Sequence, residues 1–582
     1  MMTALHPPCG GGSPSRAPRY SVLVLAVCVA LGVLRIVLTY PTLYQTIDEP
    51  IHVAAGLRWL AADQALFDSD GTFFQENYAP LGSIAAAAMP YLRGLRPRRD
   101  FPDIAREGHA ILRTGNDFEL NLALARAGTL PFFAGATVLV WLWARHIAGP
   151  VAAVAAALLF TTLPPVLAHA GLATTDVAGS SMLLAALYAF VRWLEQPTLL
   201  AAAFLGSAAA LAVLGKFSAL LFLPACVAAL GIVILALKRP SRDVVRREWR
   251  RRRRGVVVAL FIAFLLVWAV YRFQVATWTD AHRRPHRILA FAEPFFEGHD
   301  RLRDAANALL ELPIPAVNFF RGIDSLYKRT ARGGLSFFLG EFHTTGCWYF
   351  FPVLIAVKTP IAFLLLFASG LTVLFRDRLS DGGWRLLAPA ACAAAIVAVS
   401  LSSRMNIGLR HVLPVYGFLA ISAGSGWARL VRGRRGKWLT VTGSGLLMWQ
   451  ITVSLVAHPD YLASFNAFAG RHPERVTVDS DLDWGQDLWR LRDRLWEVGA
   501  RKVTLGYWGG GADGQGLPPT ESLLPYHPAE GWVAISEKTF RTLGENDRRA
   551  IGAREGAFDW LDQHPYERVG TSIRLYDIPR KE

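Results

Sequence analysis

The chain has 582 residues, of which 53% are hydrophobic and only 18% charged, with a mean hydropathy of +0.30. A soluble chain of this length carries more charge; here the apolar residues gather in blocks of about 20, the length a helix needs to cross a hydrocarbon core of about 30 Å. The net charge of +16 sits mostly in short arginine-rich loops, the signature of membrane topology rather than of nucleic-acid binding.

In chain order, residues 1–19 form a Gly/Pro/Ser-rich tail with Arg16 and Arg19 next to the first apolar block, and no cleavage site follows. They read as a cytoplasmic tail before a retained span. Candidate spans are 20–40, 128–146, 151–169, 176–194, 199–214, 217–237, 256–271, 353–375, 385–401, 412–427 and 438–456, about eleven in all. With the N-terminus inside, the three basic segments "KRPSRDVVRREWRRRRR", "FRDRL" and "RLVRGRRGK" all fall inside. The apolar run "APLGSIAAAAMPYL" is too short to span and reads as a juxtamembrane or re-entrant helix. A transmembrane domain over 20–457 with outer loops 41–127 and 272–349 follows, then an extracytoplasmic domain over 458–582. In that last part the strand-like runs "RKVTLGYW", "GWVAISEKTF" and "TSIRLYDI" alternate with the helical "GQDLWRLRDRLWEVG", which predicts a small α/β fold. Three of the five cysteines, Cys28, Cys226 and Cys392, lie inside spans and read as small buried apolar residues.

The informative residues are charges at membrane depth, which are costly and usually functional. Asp48 and Glu49 follow the first span; Asp176 opens the fourth. Lys216 lies in the turn "LGKFS", Lys358 in "AVKTP", and Arg404, Arg410 and His411 in "SSRMNIGLRHVLP". On the assigned topology all fall at the outer ends of spans, which predicts one polar chamber with acids on one side and cations on another. Blander roles exist for each. Lys216, Arg404 and Arg410 could snorkel to head groups. Asp176 could cap its helix, and Asp48 with Pro50 could start one. His52 could simply be a packed or interfacial histidine. One acid suffices for a cap, however, and two are present. Acids can act as general base or orient an acceptor, and cations can hold and neutralise a departing phosphate. A chamber at membrane depth suits a lipid phosphate donor. The main alternative, a transporter or flippase, predicts charges near the midplane and paired repeats, and no duplicated half is evident.

The segments "TIDEPIHVAAGLRWL", "ENYAPLGSIAAA", "HAGLATTDVAGS", "LGKFSALLFLP", "FLGEFHTTGCWYFFPVLIAVKTP", "SSRMNIGLRHVLPVY" and "DSDLDWGQDLWRL" together resemble the membrane glycosyltransferases related to protein O-mannosyltransferases and to the lipid A aminoarabinose transferases. The likeness is greatest to the bacterial phospholipid-carrier-dependent members of glycosyltransferase family 39. It implies a C-type glycosyltransferase fold and a hexosyl- or pentosyl-type transferase in the cytoplasmic (inner) membrane, working on its outer face. The donor implied is a polyprenyl-phosphate sugar. The acceptor implied is a lipid, glycan or protein, with membrane lipids and no nucleic acid as further partners. No cofactor is obligatory on this reading, and a divalent cation is compatible with it. Asp48 maps to the catalytic acid, with Glu49 beside it and Asp176 as the second acidic site. Lys216, Lys358, Arg404, Arg410 and His411 are the candidates for the donor phosphate. His52, Tyr78, Glu341, His343, Asp483 and Trp484 are candidates for acceptor or sugar contacts, although "DSDLDWGQDLWRL" reads first as a helix start with acids at its positive end. Where the O-mannosyltransferases have His-Pro-Pro-Leu-Gly, this chain has Tyr78, Ala79, Pro80, Leu81 and Gly82, and the histidine after the acidic pair is displaced to His52.

Overall fold

The computed structural model describes residues 19–61, 79–278, 301, 304–305, 308, 312–377, 383–432, 437–512, 515–543 and 556–579. The apolar blocks form helices because their Leu, Ala and Val runs satisfy every backbone group internally, as a bilayer requires. The first twelve helices are α1 (Arg19–Val37), α2 (Glu49–Leu60), α3 (Pro80–Leu92), α4 (Ile104–Leu112), α5 (Phe118–Ala127), α6 (Leu130–Ala148), α7 (Pro150–Thr161), α8 (Pro164–Ala170), α9 (Asp176–Glu195), α10 (Leu199–Gly215), α11 (Ala219–Lys238) and α12 (Arg242–Val270). Later helices cover Val317–Arg332, Phe350–Lys358, Ile361–Asp377, Gly383–Ser400, Val415–Arg432 and Lys437–Val456.

Among the described residues seven helices are long and apolar enough to cross a membrane, and up to nine if each of two bent pairs is one span. Each of the eleven expected stretches is helical, but two are not straight. The stretch expected over 151–169 bends by 64° between α7 and α8, where Pro164 and Pro165 follow Leu163. The stretch over 353–375 bends by 110° after Lys358, where Pro360 cannot continue the hydrogen-bond ladder. The span expected to begin at Gly128 begins earlier, since α5 and α6 together run over Phe118–Ala148. Of the remaining two, α10 has only 17 residues, and Val415–Arg432 is a central helix buried nearly throughout. Its glycines admit close neighbours: a Cβ on Gly426 would lie 2.0 Å from the Cα of Gly370, and one on Gly424 2.6 Å from the Ala156 backbone nitrogen. The bundle core around it includes Phe133, Trp143, Leu184 and Phe418, with Trp143 and Phe418 edge to face at 5.8 Å.

Between the first two spans, α2, α3 and α4 pack together, and α3 also lies against α5 at the start of the second span. The run "APLGSIAAAAMPYL" is the short helix α3, which lies against α2. Gly56 of α2 faces the backbone of α3 so closely that a Cβ would sit 1.9 Å from the Ser83 carbonyl oxygen.

The C-terminal part is the expected α/β unit. Strands β5 (Val503–Gly506), β6 (Thr520–Ser522), β7 (Gly531–Ser536), β8 (Glu567–Val569) and β9 (Ile573–Ile578) form a sheet in the order β6-β5-β7-β9-β8. Here β5 is parallel to β6 and β7, while β9 is antiparallel to β7 and β8. The predicted runs are β5, β7 and β9; the short strands β6 and β8 escape a reading of periodicity because three residues carry too little pattern. The helix Leu488–Glu497 buries Leu488, Leu491 and Leu495, at helical spacing, against one face of the sheet. That core is shared with Tyr44, Ile51, Val53 and Leu57, so the C-terminal unit is packed directly onto the segment that begins at the acidic pair. Two antiparallel pairs, β1 (Val275–Thr277) with β2 (Pro313–Pro315) and the hairpin β3 (Ser336–Phe338) with β4 (Glu341–His343), complete the described strands. Cys28, Cys226, Cys347 and Cys392 are free, the first two and the last buried.

The Gly56 contact generates a prediction. Gly56→Ala forces α2 away from α3 and costs about 1–3 kcal/mol, the usual penalty of overpacking. It should lower the thermal midpoint of the detergent-purified protein, whereas an alanine at the open position Gly231, with nothing within 4 Å, should not.

Candidate functional site

The two adjacent acids do different jobs. Asp48 stands at the N-cap of α2 but makes no side-chain cap bond; Pro50 already occupies the first turn. Its Oδ2 instead accepts a hydrogen bond from Arg410 Nη1 at 2.5 Å, across 362 positions of sequence. Glu49 is fully buried and fully used. Its Oε1 accepts from Arg126 Nε (2.8 Å) and the Ala173 N–H (2.9 Å), and its Oε2 from Arg126 Nη2 (2.9 Å), the Thr46 N–H (2.7 Å) and Thr46 Oγ1 (3.2 Å). Arg126 also donates to the carbonyls of Leu43 and Tyr44, each at 2.8 Å. Glu49 thus fastens the turn that presents Asp48, and the carboxylate itself does not line the cavity.

The opposite wall is built where α9 begins and α10 ends. Asp176 does not cap α9; its Oδ1 accepts from Lys216 Nζ at 2.6 Å and its Oδ2 from Thr174 Oγ1 at 3.1 Å. Lys216 Nζ also donates to the Arg410 carbonyl at 3.1 Å. Gly179 permits this approach, since a Cβ there would lie 2.5 Å from the Lys216 side chain. Two acid–cation pairs, Asp48–Arg410 and Asp176–Lys216, therefore line one cavity of about 130 Å³. His52 and His411 line it as well, with Thr175 and Ser218 from the helix starts and Leu326 and Arg329 from the helix Val317–Arg332.

Other sequence candidates lie elsewhere. Lys358 is buried outside the cavity lining, where Nζ donates to the Leu462 carbonyl (2.5 Å) and the Asp481 carbonyl (2.7 Å) and sits 3.9 Å from the Phe465 ring centroid. Arg404 donates to the Ala331 carbonyl at 3.3 Å in an exposed contact. Neither belongs to the cation pair at the cavity: the bend after Lys358 turns that residue toward the C-terminal segment, and Arg404 lies at the loop surface. Glu341 and His343 sit on the short strand β4, apart from the cavity, and His343 meets the Tyr349 ring edge to face. Asp483 is tied to the Lys538 N–H (2.7 Å) and the Gly485 N–H (3.3 Å). Trp484 is buried and presents its ring 4.3 Å from the Arg410 guanidinium carbon. Tyr78 lies outside the described residues. Two residues that matter here were not singled out in the sequence. Arg126 is hidden in an ordinary-looking helix end, and Arg329 is one of several basic residues in "LYKRTAR"; neither carries a local signal.

Burial sets the charge states around the rim. His52, with Nδ1 3.0 Å from Ser83 Oγ, is pushed below the usual histidine range by burial, against the pull of Asp48 and Asp176. His411 is held well below that range by burial and then by Lys216 and Arg410, so it offers a neutral ring and no charge to an anion. Among the carboxylates of the C-terminal segment, burial pushes Asp481 up to about 6 and Asp483 up to about 7. Among the described residues no three His, Cys, Asp or Glu side chains group as a metal site would require.

Two expectations follow. Glu49→Gln cannot satisfy both Arg126 and the two N–H groups, and breaking a buried ion pair typically costs about 3–5 kcal/mol. Its effect should therefore appear in the thermal midpoint and folded yield, with partial recovery in the double variant Glu49→Gln/Arg126→Met. Asp483 supplies a pH test. Its unfolded-state value is near 3.8 and its folded value about 7, so the folded state keeps a proton that the unfolded chain has released. Stability from this group is then lost as pH rises from about 4 to 7. Asp483→Asn should flatten the fall in thermal midpoint between pH 5 and pH 8, whatever its effect on the absolute value.

Comparison with known proteins places residues 126–274 in a match to the family model described as dolichyl-phosphate-mannose-protein mannosyltransferase, a stretch that contains Asp176 and Lys216. No curated protein matches the chain significantly. Among solved structures, that of ArnT from Cupriavidus metallidurans bound to undecaprenyl phosphate is 11% identical, with 96% of this chain and 98% of that one covered and a TM-score of 0.45. The archaeal oligosaccharyltransferase AglB from Archaeoglobus fulgidus, in complex with an inhibitory peptide and a dolichol-phosphate, is 12% identical, with 76% and 55% covered and a TM-score of 0.43. The chain is a multi-span membrane protein that resembles, through residues 126–274, the glycosyltransferases of the dolichyl-phosphate-mannose-protein mannosyltransferase family.

Proposed function

We propose that this protein is an integral-membrane glycosyltransferase. It moves a sugar from a polyprenyl-phosphate donor to a lipid, glycan or protein acceptor on the outer face of the cytoplasmic membrane. The observation that carries the reading is the convergence of Asp48, Asp176, Lys216 and Arg410 on one cavity at the end of a bundle of apolar helices. The family match over residues 126–274 supports the reaction class, and the solved structures with bound polyprenyl or dolichol phosphate are in keeping with the donor.

In the resting cavity Arg410 is held by Asp48 and Lys216 by Asp176. An arriving phosphate competes for the guanidinium and the ammonium and frees Asp48 to face the acceptor. The acceptor oxygen then attacks the anomeric carbon from the side opposite the phosphate. Its proton passes to Asp48, the new O–C bond forms, the old C–O bond breaks, and polyprenyl phosphate leaves with the electron pair. One displacement inverts the anomeric centre. Arg410 and Lys216 stabilise the charge that grows on the leaving phosphate, and they do so best where water is scarce. Asp176 keeps Lys216 aimed into the cavity.

The test is transfer of labelled sugar by purified protein from a polyprenyl-phosphate sugar. Asp48→Asn keeps the size and the bond to Arg410 but removes the proton acceptor. Loss of general-base help predicts a fall of about 100- to 10,000-fold in kcat with little change in donor binding. Arg410→Ala should raise KM for the donor and also lower kcat, since the guanidinium serves both the bound and the leaving phosphate. Near-normal turnover by the Asp48→Asn protein would remove the catalytic assignment. Passage of labelled lipid across a vesicle bilayer without sugar cleavage would mark a transporter instead.

A further inference from the structure

The segment Asp479 to Asp487 of the C-terminal part is bonded to the backbone beside both halves of the Asp48–Arg410 pair. On the Asp48 side, the Tyr44 N–H donates to the Gln486 carbonyl (2.9 Å) and the Ile47 N–H to the Trp484 carbonyl (3.2 Å). On the Arg410 side, Ser480 Oγ donates to the Ile407 carbonyl (2.5 Å) and the Leu409 N–H donates to Asp481 Oδ1 (3.0 Å). Gly408 lies between these two bonds with φ +141°, and a Cβ there would fall 2.0 Å from Ser480 Oγ, so the loop and the segment are pressed together with no room for a side chain. Lys358 closes the back of the segment through the Asp481 carbonyl.

Within this frame the Trp484 ring, almost wholly buried, lies 4.3 Å from the Arg410 guanidinium carbon, while Arg410 Nε is buried without a hydrogen-bond partner. The guanidinium is thus held by one carboxylate oxygen on one side and one indole face on the other. A planar cation stacked on an aromatic face keeps its orientation when a carboxylate partner is exchanged for another anion, because the stacking leaves the edge N–H groups available. The donor exchange at Arg410 requires this: the carboxylate must let go without the arginine swinging away.

We propose that Trp484 and Asp481 are positioning residues that hold the Arg410 guanidinium in place as a donor phosphate replaces Asp48 on it, so that the C-terminal part of the chain completes a cavity otherwise built by the helical bundle. The inference rests on the donor-phosphate reading of Arg410. It gives the segment a role beyond a helix start: Asp481 fixes the loop backbone at Leu409, and Trp484 fixes the side chain one residue later.

The experiment is binding of undecaprenyl phosphate to the full-length protein in detergent, comparing wild type, Trp484→Phe, Trp484→Leu and Arg410→Ala. Cation–π contacts contribute about 0.5–2 kcal/mol, which is about 2- to 30-fold in Kd. Phe and Leu leave comparable gaps in the packing but only Phe keeps a π face. The expected order is therefore wild type tightest, Trp484→Phe weaker by a few-fold (about 2–5) and Trp484→Leu weaker by about 10-fold or more, with both variants similar in thermal midpoint. Equal Kd values for Trp484→Phe and Trp484→Leu would reduce Trp484 to packing and overturn the proposal. If Trp484→Leu does not give a monodisperse protein, Trp484→Phe decides alone, and a Kd equal to that of wild type overturns the proposal. Weakened binding by Arg410→Ala beside unaltered Trp484 variants sinks this inference and leaves the proposed function standing; unaltered binding by Arg410→Ala sinks the phosphate reading itself.

Discussion

The arrangement of the cavity depends on one buried ion pair. Arg126 and Glu49 are each almost fully shielded from solvent, and between them they engage the carbonyls of Leu43 and Tyr44 and the N–H groups of Thr46 and Ala173. Taking two charges out of water is costly, and such a pair contributes little net stability compared with apolar residues of the same size. What it supplies is geometry. It joins the turn after α1, the end of α5 and the approach to α9 at one point. The backbone at residue 48 then has a single direction, and its side chain faces the cavity where a cap would have turned it back onto α2.

From that point the polar groups form a chain. Asp48 holds Arg410, the Arg410 carbonyl accepts from Lys216, and Lys216 holds Asp176. Both carboxylates that line the cavity, Asp48 and Asp176, have an opposite charge within hydrogen-bond reach, as suits groups near a bilayer. That chain of polar groups draws on α2, α9, the end of α10 and the loop before Val415, elements packed through small residues such as Gly179 and Gly215. The helix Val317–Arg332 adds Arg329 to the wall and is the element through which a third cation reaches the same space.

The C-terminal part looks separable in sequence and is not separable in structure. Its helix and sheet share a hydrophobic core with Tyr44, Ile51 and Leu57, and its leading segment is bonded to the backbone on both sides of the Asp48–Arg410 pair. Burial pushes the carboxyls of two acids in that segment, Asp481 and Asp483, up to about 6 and about 7.

Block length and residue type alone determined that the chain crosses a membrane several times, where its apolar helices lie, and that a small α/β unit follows them, because a bilayer demands long apolar helices and a half-buried sheet demands alternation. Charges standing at the ends of apolar blocks also marked Asp48, Asp176, Lys216 and Arg410, since few residues can be tolerated there without a role. Only the tertiary structure decided how these charges pair. It turned Glu49 from a second acid of the site into a strut, moved Lys358 and Arg404 out of the cation set, brought in Arg126 and Arg329, and set Trp484 against the Arg410 guanidinium. The physical reason is range: hydropathy is written in neighbouring residues and can be read from them, whereas an ion pair spanning 362 positions exists only once the chain has closed.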